Sequence, residues 1–176
     1  MTSKTNGLFG NRRSGNLPKA ANMSAKKKRA DSQKHWVKIN FALEQEDGYP
    51  PVSSESVWAS QASDGTLKIE SIPFFTDEAT FQDSVAVTDE EGELWFDELI
   101  EESDNSLIWI IFMESDGQEV IDDLEAAGCD VERCNESQCA VNIPKNVRLK
   151  KIRKLLDQYA HNDELDYAEP ILRQGQ

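Results

Sequence analysis

A chain of 176 residues with 33 acids, 19 Lys or Arg and a formal net charge of −14 is long enough to bury a real core and too acidic as a whole to favour nucleic acid. Its longest apolar run, 107–113, falls well short of the roughly eighteen residues that a membrane-crossing helix needs. The positive N-terminal stretch has no apolar run behind it, unlike a secretory signal, so a cytoplasmic protein is the expectation.

The charge is unevenly spread. Nine basic residues (Lys4, Arg12, Arg13, Lys19, Lys26, Lys27, Lys28, Arg29 and Lys34) stand in the first 35 positions against one acid, Asp31. From Trp36 onward the remaining ten basic residues face 32 acids, which leaves the body near −22. Residues 1–34 are rich in Ser, Asn, Gly, Lys and Arg, with Leu8 and Phe9 as an isolated apolar pair. Such a composition buries too little apolar surface to offset ordering entropy, so a disordered basic tail is expected there. The run 26–29 reads first as part of a solvated tail, with a nuclear address or a nucleic-acid patch as the alternative.

The pattern changes at Trp36. Trp36, Lys38 and Asn40 alternate with Val37, Ile39 and Phe41, the period of a strand with one buried face. Asp47, Gly48, Tyr49, Pro50 and Pro51 then form a loop, because paired prolines suit neither a helix nor a central strand. A strand over 55–62 and another over 67–72 flank the turn Asp64-Gly65, a strong hairpin signal. Pro73 ends the second of these, and Phe74 and Phe75 read as a core plug. A further pair, 84–87 and 93–96, is joined through Asp89, Glu90, Glu91 and Gly92. These short strands predict a β-rich subdomain over 35–105, built as a small bent antiparallel sheet or partly open barrel.

The second part has another rhythm. The apolar run 107–112 suits a central strand covered on both faces. Ser115 and Asp116 are candidate caps for a helix over 118–127, with Val120, Ile121, Leu124 and Ala127 as its apolar stripe and Gly128 as its stop. A hairpin, 130–134 and 139–143, follows. Asn146 is the candidate cap of a second helix striped by Leu149, Ile152, Leu155, Leu156 and Tyr159, and 165–168 predicts a last strand. The order strand, helix, strand, strand, helix, strand is that of a ferredoxin-like βαββαβ unit. The predicted fold class is therefore α+β, with this unit over 106–176.

Most chemistries are missing. Cys129, Cys134 and Cys139 are an odd number without an export signal, so free thiols are expected, with Cys134 and Cys139 able to face each other across their hairpin. Zinc wants four ligands at closer spacing, and His35 and His161 are the only histidines. Both read as surface imidazoles, which leaves a nucleophilic triad without a base. No Walker loop or dinucleotide glycine fingerprint occurs. The acid-rich turn 89–93 lacks the alternating ligands of a calcium loop, and pairs such as Asp97-Glu98 and Glu101-Glu102 arise by chance in so acidic a body. No catalytic residue, metal or cofactor is assigned. The cationic face of the second helix (Arg148, Lys150, Lys151, Arg153 and Lys154) reads as a solvated face paired with the acidic first helix, the alternative being a phosphate or nucleic-acid face.

The combination of Asp47-Gly48-Tyr49-Pro50-Pro51, Ser54-Glu55-Ser56-Val57-Trp58-Ala59, Ile72-Pro73-Phe74-Phe75 and Ala127-Gly128-Cys129 resembles the bacterial domain of unknown function 4265, over about residues 36 to 170. The resemblance implies a bacterial, cytosolic protein. It implies no activity, cofactor or catalytic residue.

The acid excess remains the main functional signal. It is larger than solubility needs, and it predicts association with a basic protein partner, as when an immunity protein masks a cationic toxin. The candidate partner-binding residues are the aromatic anchors Tyr49, Trp58 and Trp95 and the acids Asp89, Glu90, Glu91, Glu93, Asp97, Glu98, Glu101 and Glu102, since aromatics tend to dominate interface energies. Mimicry of DNA is a variant of this reading. The alternative is an enzyme or regulator with a carboxylate-lined cleft between the barrel and the ferredoxin-like part.

Overall fold

Alternation turns Ile39 and Phe41 inward on β1 (Trp36–Ala42), and Val57 and Ala59 inward on β2 (Ser54–Gln61), because successive side chains of a strand point to opposite faces. The two strands pair antiparallel, with Lys38 opposite Trp58. Beyond them the Thr66 hydroxyl and N–H both donate to the Asp64 carboxylate (2.7 and 3.0 Å) and hold it below its usual range, fixing the turn into β3 (Leu67–Ile69). β4 (Ser84–Glu90) and β5 (Glu93–Glu101) form a long hairpin around Glu91 and Gly92, both at positive φ (55° and 93°), as a tight two-residue turn requires. Two register shifts in β4 and β5 bend this hairpin.

The computed structural model describes residues 35–113 and 115–174, so the basic tail expected over 1–34 lies outside the described residues. Gln33–Gln176 forms one compact unit, an α+β fold with two sheets. The expectation of a bent antiparallel sheet or partly open barrel needs correction. β5 pairs in parallel with β1, Trp95 beside Asn40, and the order β1-β2-β3-β4-β5 closes into a barrel. Closure depends on strands far apart in sequence, which no local pattern encodes. Its core contains Ile39, Phe41, Val57, Ala59, Leu67, Ile69, Ala79 and Val85.

The second sheet contains β6 (Ser106–Phe112), β7 (Asp130–Asn135), β8 (Gln138–Ile143) and β9 (Leu165–Ile171) in the antiparallel order β7-β8-β6-β9. Helices α1 (Gln118–Ala126) and α2 (Leu149–His161) cover one face through Ile121, Leu124, Ile152 and Leu156 against Ile108, Ile110, Val141 and Ile143. On the other face Leu107, Ala140 and Ile171 meet Ile72, Phe74 and Phe81 from the β3–β4 connection. Thus the apolar run of β6 is buried from both sides, as a central strand should be.

Several local expectations are revised. The N-cap of α1 is Gly117, at φ 65°, and a Cβ there would fall 2.2 Å from the Phe112 ring. Ser115 and Asp116 accept the Gly117 and Gln118 N–H groups instead (both 3.1 Å). Arg148, not Asn146, occupies the N-cap of α2. A register shift in β7 sets Arg133 opposite Cys139, which is buried while Cys134 is exposed, so the two thiols do not face each other. Arg153 pairs with Glu169 of β9 (2.6 and 2.8 Å) and not with the acids of α1.

Two devices tie the barrel to the second sheet. The first is a salt bridge between buried Asp83, just before β4, and Arg173, just after β9; Nη1 meets Oδ1 and Nη2 meets Oδ2 at 3.0 Å. Asp83 also accepts the N–H groups of Thr80 (2.8 Å) and Ser103 (2.7 Å), so its buried charge is fully engaged. The second device is Glu132 on β7, which accepts the Ile72 N–H at 3.2 Å. Burial pushes its carboxyl up, the Ile72 N–H pulls it back, and Asp130 adds to the rise.

Arg173→Met strands the buried Asp83 carboxylate without its cation and should cost about 3 to 5 kcal/mol in urea unfolding; a loss below about 1 kcal/mol, the range of an exposed pair, contradicts the assignment. For Glu132 the sign follows from the raised carboxyl. Its stabilising contribution is complete below the unfolded value, about 4.3, and is lost as pH rises through the folded one. Glu132→Gln keeps an acceptor for Ile72 and removes that loss. The variant should melt above the parent at neutral pH and converge on it below about pH 4, whereas a pH-independent gap speaks against this.

Candidate functional site

The segment from Ile72 to Thr76 decides the geometry between barrel and sheet. Period two on β2 places Glu55 on the same inward face as Val57 and Ala59, so a carboxylate enters an otherwise apolar layer. It is 8% exposed. Its two oxygens accept three consecutive backbone N–H groups, from Phe74 (2.6 Å), Phe75 (2.9 Å) and Thr76 (3.0 Å). From the sheet side the Trp109 indole N–H donates to the Pro73 carbonyl at 2.9 Å. Pro73 lacks an N–H, and the neighbouring polar groups named here are all satisfied.

Held in this way, the segment forms one wall of a cleft of about 660 Å³ between β1, β5 and β6. Phe75, Trp95, Phe96 and Trp109 line it, and four carboxylate residues, Glu44, Asp77, Glu78 and Asp97, stand among them. The aromatic wall is braced from behind. Phe96 stacks on core Phe41 (centroids 4.7 Å apart), Phe75 receives Tyr49 edge-on (6.2 Å), and Trp109 is anchored through its N–H. Among the described residues no Lys or Arg lines the cleft. Burial first, then the charges of Asp77 and Glu44, pushes the Glu78 carboxyl up. The space is thus electronegative and faced with rings, and its four carboxylate residues are exposed. Among the described residues no group of three His, Cys, Asp or Glu is placed to hold a metal ion.

The structure gathers only part of the sequence-predicted set. Trp95 and Asp97 line the cleft, and Tyr49 touches its Phe75 edge. Asp89, Glu90, Glu91 and Glu93 are exposed around the β4–β5 hairpin tip, with Glu98 and Glu101 farther along β5 and Glu102 just beyond it. Glu102 is drawn toward Arg173 at 3.7 Å. Trp58 is outside the cleft, and the chain's own Lys38 ammonium lies 5.1 Å over its ring. His35 and His161 are both exposed. Glu44, Phe75, Asp77, Glu78, Phe96 and Trp109 were not singled out as site residues from the sequence. The run Phe74-Phe75-Thr76-Asp77-Glu78 after Pro73 carried a signal, rings and acids on one tethered turn, but its partners on β5 and β6 are distant in the chain.

Residues 55–167 match the family described as a domain of unknown function (DUF4265). The fold is similar to the crystal structure of a hypothetical protein from Neisseria gonorrhoeae, with 23% identity and a TM-score of 0.70, covering 80% of this chain and 98% of that one. No curated protein matches the chain.

Glu55→Ala deprives three N–H groups, that of Thr76 buried and those of Phe74 and Phe75 part-buried, of their acceptor, each worth about 1 kcal/mol, and the summed loss should be about 3 kcal/mol in urea unfolding. Glu55→Gln, which retains one acceptor oxygen, should lose less. Equal losses from the two variants contradict the role given to the carboxylate.

Proposed function

Because the chain belongs to the domain of unknown function 4265 family, which carries no activity to inherit, we propose a function from its surface: a cytoplasmic bacterial protein that binds a basic protein partner, in the manner of an immunity protein masking a cationic toxin. One observation carries the reading. The cleft and the β5 strand beside it hold carboxylates that no cation among the described residues neutralises. Among the described residues Glu44, Asp77, Glu78, Asp97, Glu90, Glu91, Glu93, Glu98 and Glu101 meet no Lys or Arg within ion-pair distance. Cations that do pair with acids include Arg153, Arg173 and Lys145, which meet acids elsewhere. Unpaired charge of one sign steers a partner of the other and repels nucleic acid. Tyr49 is 53% exposed and, with Trp95, supplies an aromatic anchor at the same edge.

The same reading treats 35–105 and 106–176 as two subdomains, the second of the ferredoxin-like class. Support comes from the succession β6-α1-β7-β8-α2-β9, the antiparallel order β7-β8-β6-β9 and the helices on one face. No helix among the described residues is long and apolar enough to cross a membrane.

Immobilised full-length chain should retain a basic protein from host extract at low salt and release it as ionic strength rises toward roughly 0.5 M, where exposed charges are screened. A variant neutralised at Asp89, Glu90, Glu91 and Glu93 should retain clearly less of it. Retention of no basic protein, or equal retention by the neutralised variant, overturns the reading.

A further inference from the structure

We propose that the aromatic cleft between β1, β5 and β6 receives the guanidinium of a single arginine side chain from that partner, held against Trp95 and Phe75 and paired with Asp97 and Asp77. The inference rests on the binding reading above and specifies where and how the basic partner is held.

Four observations converge on this occupant. The first is size. About 660 Å³ is within the usual range for a ligand pocket, and it leaves room for a long side chain together with part of its backbone. The second is the preformed wall. Phe96 is stacked on Phe41, Trp109 is tied to the Pro73 carbonyl, and Phe75 is fixed through its own N–H by Glu55, so little side-chain freedom is left to lose on binding.

The third is a contrast within the chain itself. Where other rings of this protein lie near its cations, they are covered, Trp58 by Lys38 at 5.1 Å and Phe112 by Arg133 at 5.9 Å. The rings of the cleft have no such cover among the described residues. A cation over an aromatic face is attracted by the ring quadrupole.

The fourth is chemical matching. Carboxylates from two sides of the cleft, Asp77 from the tethered segment and Asp97 from β5, suit a planar donor fork. Stacking on rings while pairing with carboxylates is the habit of guanidinium rather than of the compact, strongly hydrated ammonium.

The test uses the full chain labelled with nitrogen-15 and three tripeptides, Gly-Arg-Gly, Gly-Lys-Gly and Gly-citrulline-Gly, the last being the uncharged isostere of arginine. Titration should move the indole N–H signals of Trp95 and Trp109 with the arginine peptide. Binding of the lysine and citrulline peptides should be about fivefold or more weaker. Asp97→Asn, at an exposed position that leaves the core intact, should abolish the preference for arginine. Equal binding of citrulline or lysine, or shifts confined to the hairpin tip around Glu91, would overturn the proposal. Should the arginine peptide fail while the basic protein is still retained by the parent chain and lost by the hairpin variant, the pocket assignment alone falls. Should both fail, the binding function falls with it.

Discussion

One buried carboxylate organises the joint of this molecule. Glu55 satisfies three successive N–H groups of a segment that has left the barrel and not yet returned to it. Buried backbone donors without partners are costly, so without an acceptor at this point the turn after Pro73 would have to face water. With it, Ile72 and Phe74 can pack on the second sheet while Phe75 and Asp77 face the cleft. Trp109 and Glu132 grip the same segment from the sheet side. The relation between the two layers therefore follows from hydrogen bonds as much as from apolar contact, and the cleft is a consequence of that relation.

Charge in this protein is used in two separate ways. At the joint, carboxylates are buried and fully partnered: Asp83 by Arg173, Thr80 and Ser103, and Glu55 by backbone. A buried charge is tolerable only under such conditions, and it then specifies geometry more than it adds stability. Along β5 and around the cleft, by contrast, carboxylates are exposed and no cation among the described residues stands opposite them. That arrangement contributes little to folding, and like-charge repulsion disfavours the compact state. Under the proposed function, that charge is available to a second molecule.

The sequence made some of this plain. The alternation in β1, the Asp64-Gly65 turn, the apolar run of β6 and the helix stripes are local patterns, and each became the element expected. Barrel closure was not legible, because it rests on Asn40 meeting Trp95, a pairing with no local signature. The hairpin strands β4 and β5 run longer than predicted because the added residues, 88–90 and 97–101, are rich in acids and the register shifts between the two strands break the period of two. Glu55 was visible in principle. It shares its face with Val57 and Ala59, and a carboxylate on the apolar face of a strand signals a buried partner, a signal that the many other acids of the chain obscure. The cleft itself needs β1, β5, β6 and the tethered turn together, so only the assembled chain shows it.

The central claim is that the segment carrying Phe74, Phe75 and Thr76 is an integral part of the folded unit, locked by Glu55, and not a surface loop. Amide hydrogen exchange on the parent chain tests it without any substitution. The account predicts that these three amides are protected to within about tenfold of the barrel-core amides of Ile39 and Phe41, since they open only with the joint. Exchange at the rate of exposed turns such as Asp64-Gly65 would contradict it.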